Sequence, residues 1–266
     1  MLRSMFSAIS GLRSHQTMMD VTGNNIANVN TAGYKSSRAT FQEALTQVTR
    51  GASGPNFPTQ GGTNPFQVGL GARVAGTDTN FSQGSMQSTG RATDISISGD
   101  VFFVVQSNGQ TSYTRAGAFN WDADGNLVTA SGEVALDPAG NPVRFDPSTH
   151  TDIQIGTDGV VAGRNIATGA LEPIATIAVA SFVNPNGLVA IGNGLYQPTA
   201  NSGAADVGAP GTGGRGSLQS GTLEMSNVDL AAEFTNMIVA QRGFQANART
   251  ITSSDEILQE LVNLKR

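Results

Sequence analysis

Apolar residues recur every three or four positions at both ends of the chain, and alternately or in short runs between them. From the start they fall at Leu2, Met5, Ile9, Leu12, Met19 and Ile26; near the end they fall at Leu230, Phe234, Met237, Phe244, Ala248, Ile251, Leu258 and Val262. Gln16, Gly23, Gln241 and Asp255 occupy the positions this step skips. Heptad spacing of this kind lays one apolar seam along each helix. It predicts an amphipathic helix over 3–29 and another over 228–264, about 40 and 50 Å long at helical rise. Ser226, Asn227 and Asp229 supply an N-cap and an acidic first turn for the second. Phe6, Met18, Ile238, Ile257 and Leu261 lie beside the seams and widen the apolar stripe. A single antiparallel partner leaves part of such a stripe uncovered, so the termini are expected to join copies of the chain. Asn24, Asn25 and Asn28 read either as helix-terminating turn chemistry or as amides bonding between crowded helices.

The middle of the chain follows a different rule. Residues 94–105 alternate and then become continuously apolar, which predicts one buried strand. Asn108-Gly109 and Asp124-Gly125-Asn126 read as turns into Thr111–Thr114 and Leu127–Thr129. Further strands are expected at 152–156, 159–163, 174–183 and 188–197. Strands separated by turns about every ten residues predict an antiparallel all-β domain. Residues 34–50 form a second segment in which Phe41, Ala44, Leu45 and Val48 fit one helical face. Residues 51–72 read as an extended Gly/Pro/Asn-rich arm and 200–217 as a flexible stretch. The expected fold class is α+β: terminal helices at 1–35 and 226–266 paired as a coiled coil, a connecting arm at 36–75 and 216–225, and an outer β domain at 76–215.

Charge and composition narrow the function. Of 266 residues only 13% are charged and 33 are Gly, which suits a turn-rich β protein with a polar, weakly ionic surface. The net charge of −5 and pI of about 4.9 do not fit nucleic-acid binding. Residues 1–50 carry five Lys/Arg against two Asp/Glu, and 224–266 carry four against six, so the two ends are mutually attractive. The absence of cysteine excludes disulfides and thiolate metal sites. The first 30 residues lack a signal-peptide pattern and no 18-residue apolar run exists, so composition alone points to the cytoplasm.

No set of residues converges on catalysis. Asp122-Ala-Asp124-Gly-Asn126 resembles a calcium loop, but its Gly is misplaced and a turn between strands is the better reading. Gly69-Leu-Gly71 fails the dinucleotide pattern because position 74 is Val. His15 and His150, the two histidines, lie apart in the sequence. No enzyme activity, cofactor, metal or small-molecule substrate is expected.

Six ordered stretches carry a resemblance that spans the chain. They are Asp20–Lys35 (DVTGNNIANVNTAGYK), Ser82-Gln-Gly84, Asp94–Val104, Tyr113–Phe119 with Gly125–Thr129, Asn184–Leu188 with Gly194–Tyr196, and Gly221–Arg266. Together they resemble the bacterial flagellar rod and hook axial proteins. The resemblance implies terminal helices lining the inner tube of a helical homopolymer, with the β domain outside. It implies neighbours among the rod, hook-cap and hook–filament junction proteins. It also implies passage through the flagellar type III export apparatus without a cleaved signal, which replaces the cytoplasmic expectation. Met1–Leu12 and the C-terminal run look most like hook proteins of the short type; the length also matches distal rod proteins, the second reading. A secreted β-domain adhesin oligomerised by its helices is the third.

Overall fold

The computed structural model describes residues 2–55, 61–107 and 109–264, without the side chains of Leu2 and Leu261. Asn108 of the expected turn, the side chain of Leu2 and positions 56–60 of the expected arm therefore lie outside the described residues. The chain divides into two compact units.

The first unit comprises Met1–Ala27, Ser37–Asp78 and Asp229–Arg266. Its helices are α1 (Leu2–Ala27) and α2 (Leu230–Asn263). Asp229 caps α2: its carboxylate accepts from the N–H groups of Ala231 and Ala232, two donors that the first turn of a helix leaves unpaired. Between the helices run β1 (Ser37–Glu43), β2 (Thr46–Arg50), β3 (Phe66–Gly69) and β4 (Ala72–Thr79), paired as β1–β4 and β2–β3. The helical face expected across Phe41, Ala44, Leu45 and Val48 does not form. Thr40, Thr46, Val48 and Thr49 favour extended backbone, and cross-strand pairing satisfies it. Leu45 and Val48 stay exposed. The expected extended arm is likewise a hairpin, prolonged by a bridge from Ser53 to Thr63.

The second unit comprises Asn28–Ser36 and Thr79–Val228. Its strands are β5 (Met86–Ser88), β6 (Ile95–Ser98), β7 (Val101–Ser107), β8 (Gln110–Thr114), β9 (Phe119–Trp121), β10 (Leu127–Thr129), β11 (Val134–Ala135), β12 (His150–Ile155), β13 (Val160–Asn165), β14 (Leu171–Thr176), β15 (Val179–Ser181), β16 (Val189–Gly192), β17 (Leu195–Gln197), β18 (Asp206–Gly208), β19 (Ser217–Ser220) and β20 (Thr222–Glu224). All recorded pairings are antiparallel. The main sheet runs β16-β17-β8-β7-β11-β10-β9, with β15 joining β7 to β18; β12-β13-β14 form a second sheet. Strand β7 explains the core. Its residues alternate between two faces, and both are covered. Val101, Phe103 and Val105 enter one apolar cluster with Ile95, Phe119 and Leu127, while Phe102 and Val104 enter another with Tyr113, Phe182 and Tyr196.

Several expected strands prove to be two. The run 94–105 breaks at Gly99-Asp100, because β6 pairs with β19 whereas β7 pairs with β8, β11 and β15. The run 174–183 splits at the buried Ile177-Ala178 into β14 and β15, which belong to different sheets. The run 188–197 is the β16–β17 hairpin, turning at Asn193-Gly194. The stretch 200–217, expected to be flexible, is held by β18, by the buried Ser202 hydroxyl and by an Arg215–Asp206 ion pair of 2.6 Å. Apolar runs alone do not show where a chain changes partners.

One local device recurs. In Asp122–Asn126, Thr129–Glu133 and Asp137–Asn141, the fourth residue is a Gly at positive φ whose N–H returns to the first residue's carbonyl. The first side chain then accepts the N–H of the fifth residue. Asp and Thr at the first position and Gly at the fourth are what this turn demands.

Candidate functional site

The terminal helices are the expected interface. Within the first unit α1 and α2 run antiparallel. Asn25 bonds to Glu233, His15 lies against Gly243, and Gly11 lies against Asn247. A Cβ at Gly11 would stand 2.7 Å from Asn247 Nδ2, and one at Gly243 would strike the His15 ring. Close approach of the two backbones therefore needs small residues. The buried positions bear this out: Ala8, Ser14, Thr22 and Asn25 on α1, Ala240 and Ser254 on α2.

The residues picked from the apolar spacing stand beside that contact line. Met5, Ile9, Leu12, Met19, Ile26, Met237, Phe244, Ile251 and Leu258 are half-buried. Leu230, Phe234 and Val262 are exposed, Phe234 by 51% and Val262 by 69%. Phe6, Ile238 and Ile257 are exposed too. A lone helix pair leaves a broad apolar stripe facing outward.

The three asparagines separate. Asn25 is buried and joins three elements: its amide nitrogen donates to the Ser37 carbonyl at 2.7 Å and to Glu233 Oε1 at 3.0 Å, and its oxygen accepts the Ser37 N–H at 3.0 Å. It thus fixes the end of α1 to the start of β1 and the first turn of α2. Helix α1 runs through Asn24 and Asn25 and ends at Ala27. Asn24 is exposed, and Asn28 begins the turn that follows, accepting the Thr31 N–H on its carbonyl.

A second polar centre, which the apolar pattern does not indicate, lies inside the second unit. Glu224 is 2% exposed and makes four bonds to three segments. Its Oε1 accepts from Lys35 Nζ at 2.6 Å and from the Gly84 N–H at 2.9 Å; its Oε2 accepts from Arg115 Nη1 at 3.4 Å; its carbonyl accepts the Gly33 N–H at 2.8 Å. Lys35 Nζ also donates to the Ser82 carbonyl at 2.8 Å. Burial lowers the Lys35 ammonium below the ordinary lysine pKa, against the opposing pull of Glu224, and lowers Arg115 in the same way. Two buried cations thus share one buried carboxylate. Arg115 gains the Phe102 ring at 5.1 Å and the exposed Asp100 at 3.9 Å. The available signal is that Lys35 and Arg115 are charged residues inside glycine-bearing motifs, Ala32-Gly-Tyr-Lys35 and Arg115-Ala-Gly117.

The Asp122 loop is a turn. Its carboxylate is occupied by the N–H groups of Asp124 and Asn126 and by the Asn126 amide, whose bond most lowers the Asp122 pKa. Among the described residues no cluster of three metal-ligating side chains occurs, and no helix is long and apolar enough to cross a membrane.

Comparison with known proteins matches three family models: flagella basal body rod protein over residues 5–35, flagellar hook protein FlgE/F/G D1 domain over 96–163, and flagellar basal body rod FlgEFG protein C-terminal over 219–264. The chain is 49% identical to the flagellar basal-body rod protein FlgG of Bacillus subtilis over 267 positions covering all of both chains. It is 38% identical to FlgG of Borreliella burgdorferi over 269 positions, again covering both in full. It is 30% identical to the flagellar hook protein FlgE of Borreliella burgdorferi, with both chains covered, but that alignment stretches to 442 positions.

Proposed function

The chain belongs to the flagellar rod and hook family of axial proteins, structural components rather than enzymes, and we propose that it is the distal rod subunit. The rod reading replaces the hook reading favoured from the opening and closing motifs. The observation that carries it is the end-to-end match at 49% identity with a basal-body rod protein over 267 positions, nearly this chain's own 266 residues. The hook protein aligns only by opening long gaps. The family model over the closing motif takes in FlgE, FlgF and FlgG together, so that motif does not separate hook from rod.

In this reading the chain polymerises helically. The apolar residues picked out by the spacing, Leu2, Met5, Ile9, Leu12, Met19, Ile26, Leu230, Phe234, Met237, Phe244, Ile251, Leu258 and Val262, pack against helices of neighbouring copies in heptad fashion, and Asn24 and Asn28 lie at that crowded boundary. Burying an exposed Phe or Leu side chain stabilises each contact by about 1.5–3 kcal/mol, and a polymer repeats the gain at every subunit. The rod joins other axial proteins at its ends and receives its subunits through the type III export apparatus, without a cleaved signal peptide.

The test is electron microscopy of basal bodies from cells deleted for the gene and complemented in trans. A distal rod subunit leaves a rod that stops short, restored by the wild-type chain. A complete rod lacking only its hook would return the function to the hook reading. Mass spectrometry of the assembled subunit reads the export prediction: an intact N-terminal segment is expected, and a trimmed one refutes it.

A further inference from the structure

Resting on the reading of the chain as a polymer subunit, we propose that a groove on the first unit is the receptor for the C-terminal end of α2 from a second copy. The groove holds about 380 Å³ and is lined by Phe6, Ile9, Arg13 and Thr17 of α1 with Arg73 and Val74 of β4. Its chemistry is an apolar floor with two exposed guanidinium groups. Arg13 makes no ion pair among the described residues, and Arg73 rests against the uncharged amide of Gln42.

The matching surface is the outer side of α2 near its end. Ser254 is buried and Leu258 half-buried, while Glu256, Ile257, Glu260 and Leu264 step along another side of the helix and are all exposed, Ile257 by 48% and Leu264 by 82%. Glu256 and Glu260 have no ion-pair partner among the described residues. Two carboxylates spaced one turn apart, beside two apolar side chains, complement two arginines above an apolar floor. The same chain cannot make this contact. The antiparallel register sets His15 against Gly243, which places Thr17 near Gln241, about 24 Å along the helix from Ile257.

The chain has no cysteine, so introduced thiols report one contact each. Full-length chain carrying Thr17→Cys and Ile257→Cys is concentrated until it assembles and then oxidised. A ladder of disulfide-linked oligomers is expected, with no ladder from either single variant, because the two sites meet only between copies within about 7 Å between Cα atoms. Adding Arg13→Glu is expected to lower the cross-linked fraction at least tenfold, and Glu260→Arg to restore it to within about threefold. Tubes that form without the ladder, a ladder from Thr17→Cys alone, or a reversal that Glu260→Arg does not rescue overturns the groove assignment while leaving the polymer reading intact. A wild-type chain that builds no tubes under any condition overturns both.

Discussion

Glu224 shows how much a single side chain can hold. Among the described residues its carboxylate is the one buried counter-charge for Lys35 and Arg115. Replacing it by Gln keeps the shape and removes the charge, leaving Lys35 without a counter-charge and Arg115 with only the exposed Asp100. The expected loss is about 3–5 kcal/mol of stability, read as a lower denaturation midpoint for the second unit in urea. The exposed pair Arg38–Asp78, at 3.8 Å, makes the contrast: Arg38→Ala is expected to change stability by under about 1 kcal/mol. Tyr196 gives a pH signature. Burial pushes its phenol up to about 12 from the usual 10. A pKa raised on folding contributes stability that is complete below pH 10 and drains away as pH climbs through 12. That contribution is about 3 kcal/mol. Tyr196→Phe is expected to flatten the fall in Tm between pH 10 and 12, although the similarly raised Tyr113 retains part of it. An unchanged alkaline slope in the variant would assign the effect elsewhere.

Among the elements, legibility followed the range of the interactions that decide each one. The long helices were visible because their period is local; α1 and α2 end within two residues of the expected limits. The Asp-Gly turn was visible because turn chemistry is local as well. The splits at Gly99-Asp100 and Ile177-Ala178 were not, since each depends on which distant strand pairs with which half. The hairpin β2–β3 was missed for the same reason, its first strand falling in the expected helical segment and its second in the expected arm: Thr46–Arg50 finds its partner only across the Gly/Pro-rich stretch. On the helices, apolar spacing located the stripe but not the inner contact line. That line is drawn by Ala8, Gly11, Gly243 and Ser254, whose small size counts and whose hydropathy does not. These two lines predict different phenotypes. Ile251→Lys, on the half-covered stripe, is expected to abolish assembly at a cost of several kcal/mol per contact, with the melting of the second unit hardly changed. Gly243→Leu, on the inner line, is expected to separate α2 from α1 in the free chain, read as lost amide protection along both helices. If Ile251→Lys assembled normally, the stripe would not be an intermolecular surface.

For the whole molecule, the second unit gathers Asn28–Ser36 from before the first hairpin together with Thr79–Val228, which ends in β19 and β20. A fragment cut at 215 lacks Leu218, which packs in the main core, and Glu224. Such a fragment is expected to melt without cooperativity, whereas the full chain should show a sharp transition in the same calorimeter. The reach of Glu224 across 189 positions to Lys35 also has a meaning in time. A chain delivered from its N-terminus passes Lys35 first, then Arg115, and only near the end the acid that neutralises them. Until then the interior carries unmatched positive charge and its last strand is missing, so completion must wait for the tail. The order in which residues arrive thereby becomes a clock: β20 sets the earliest moment at which the second unit is able to close.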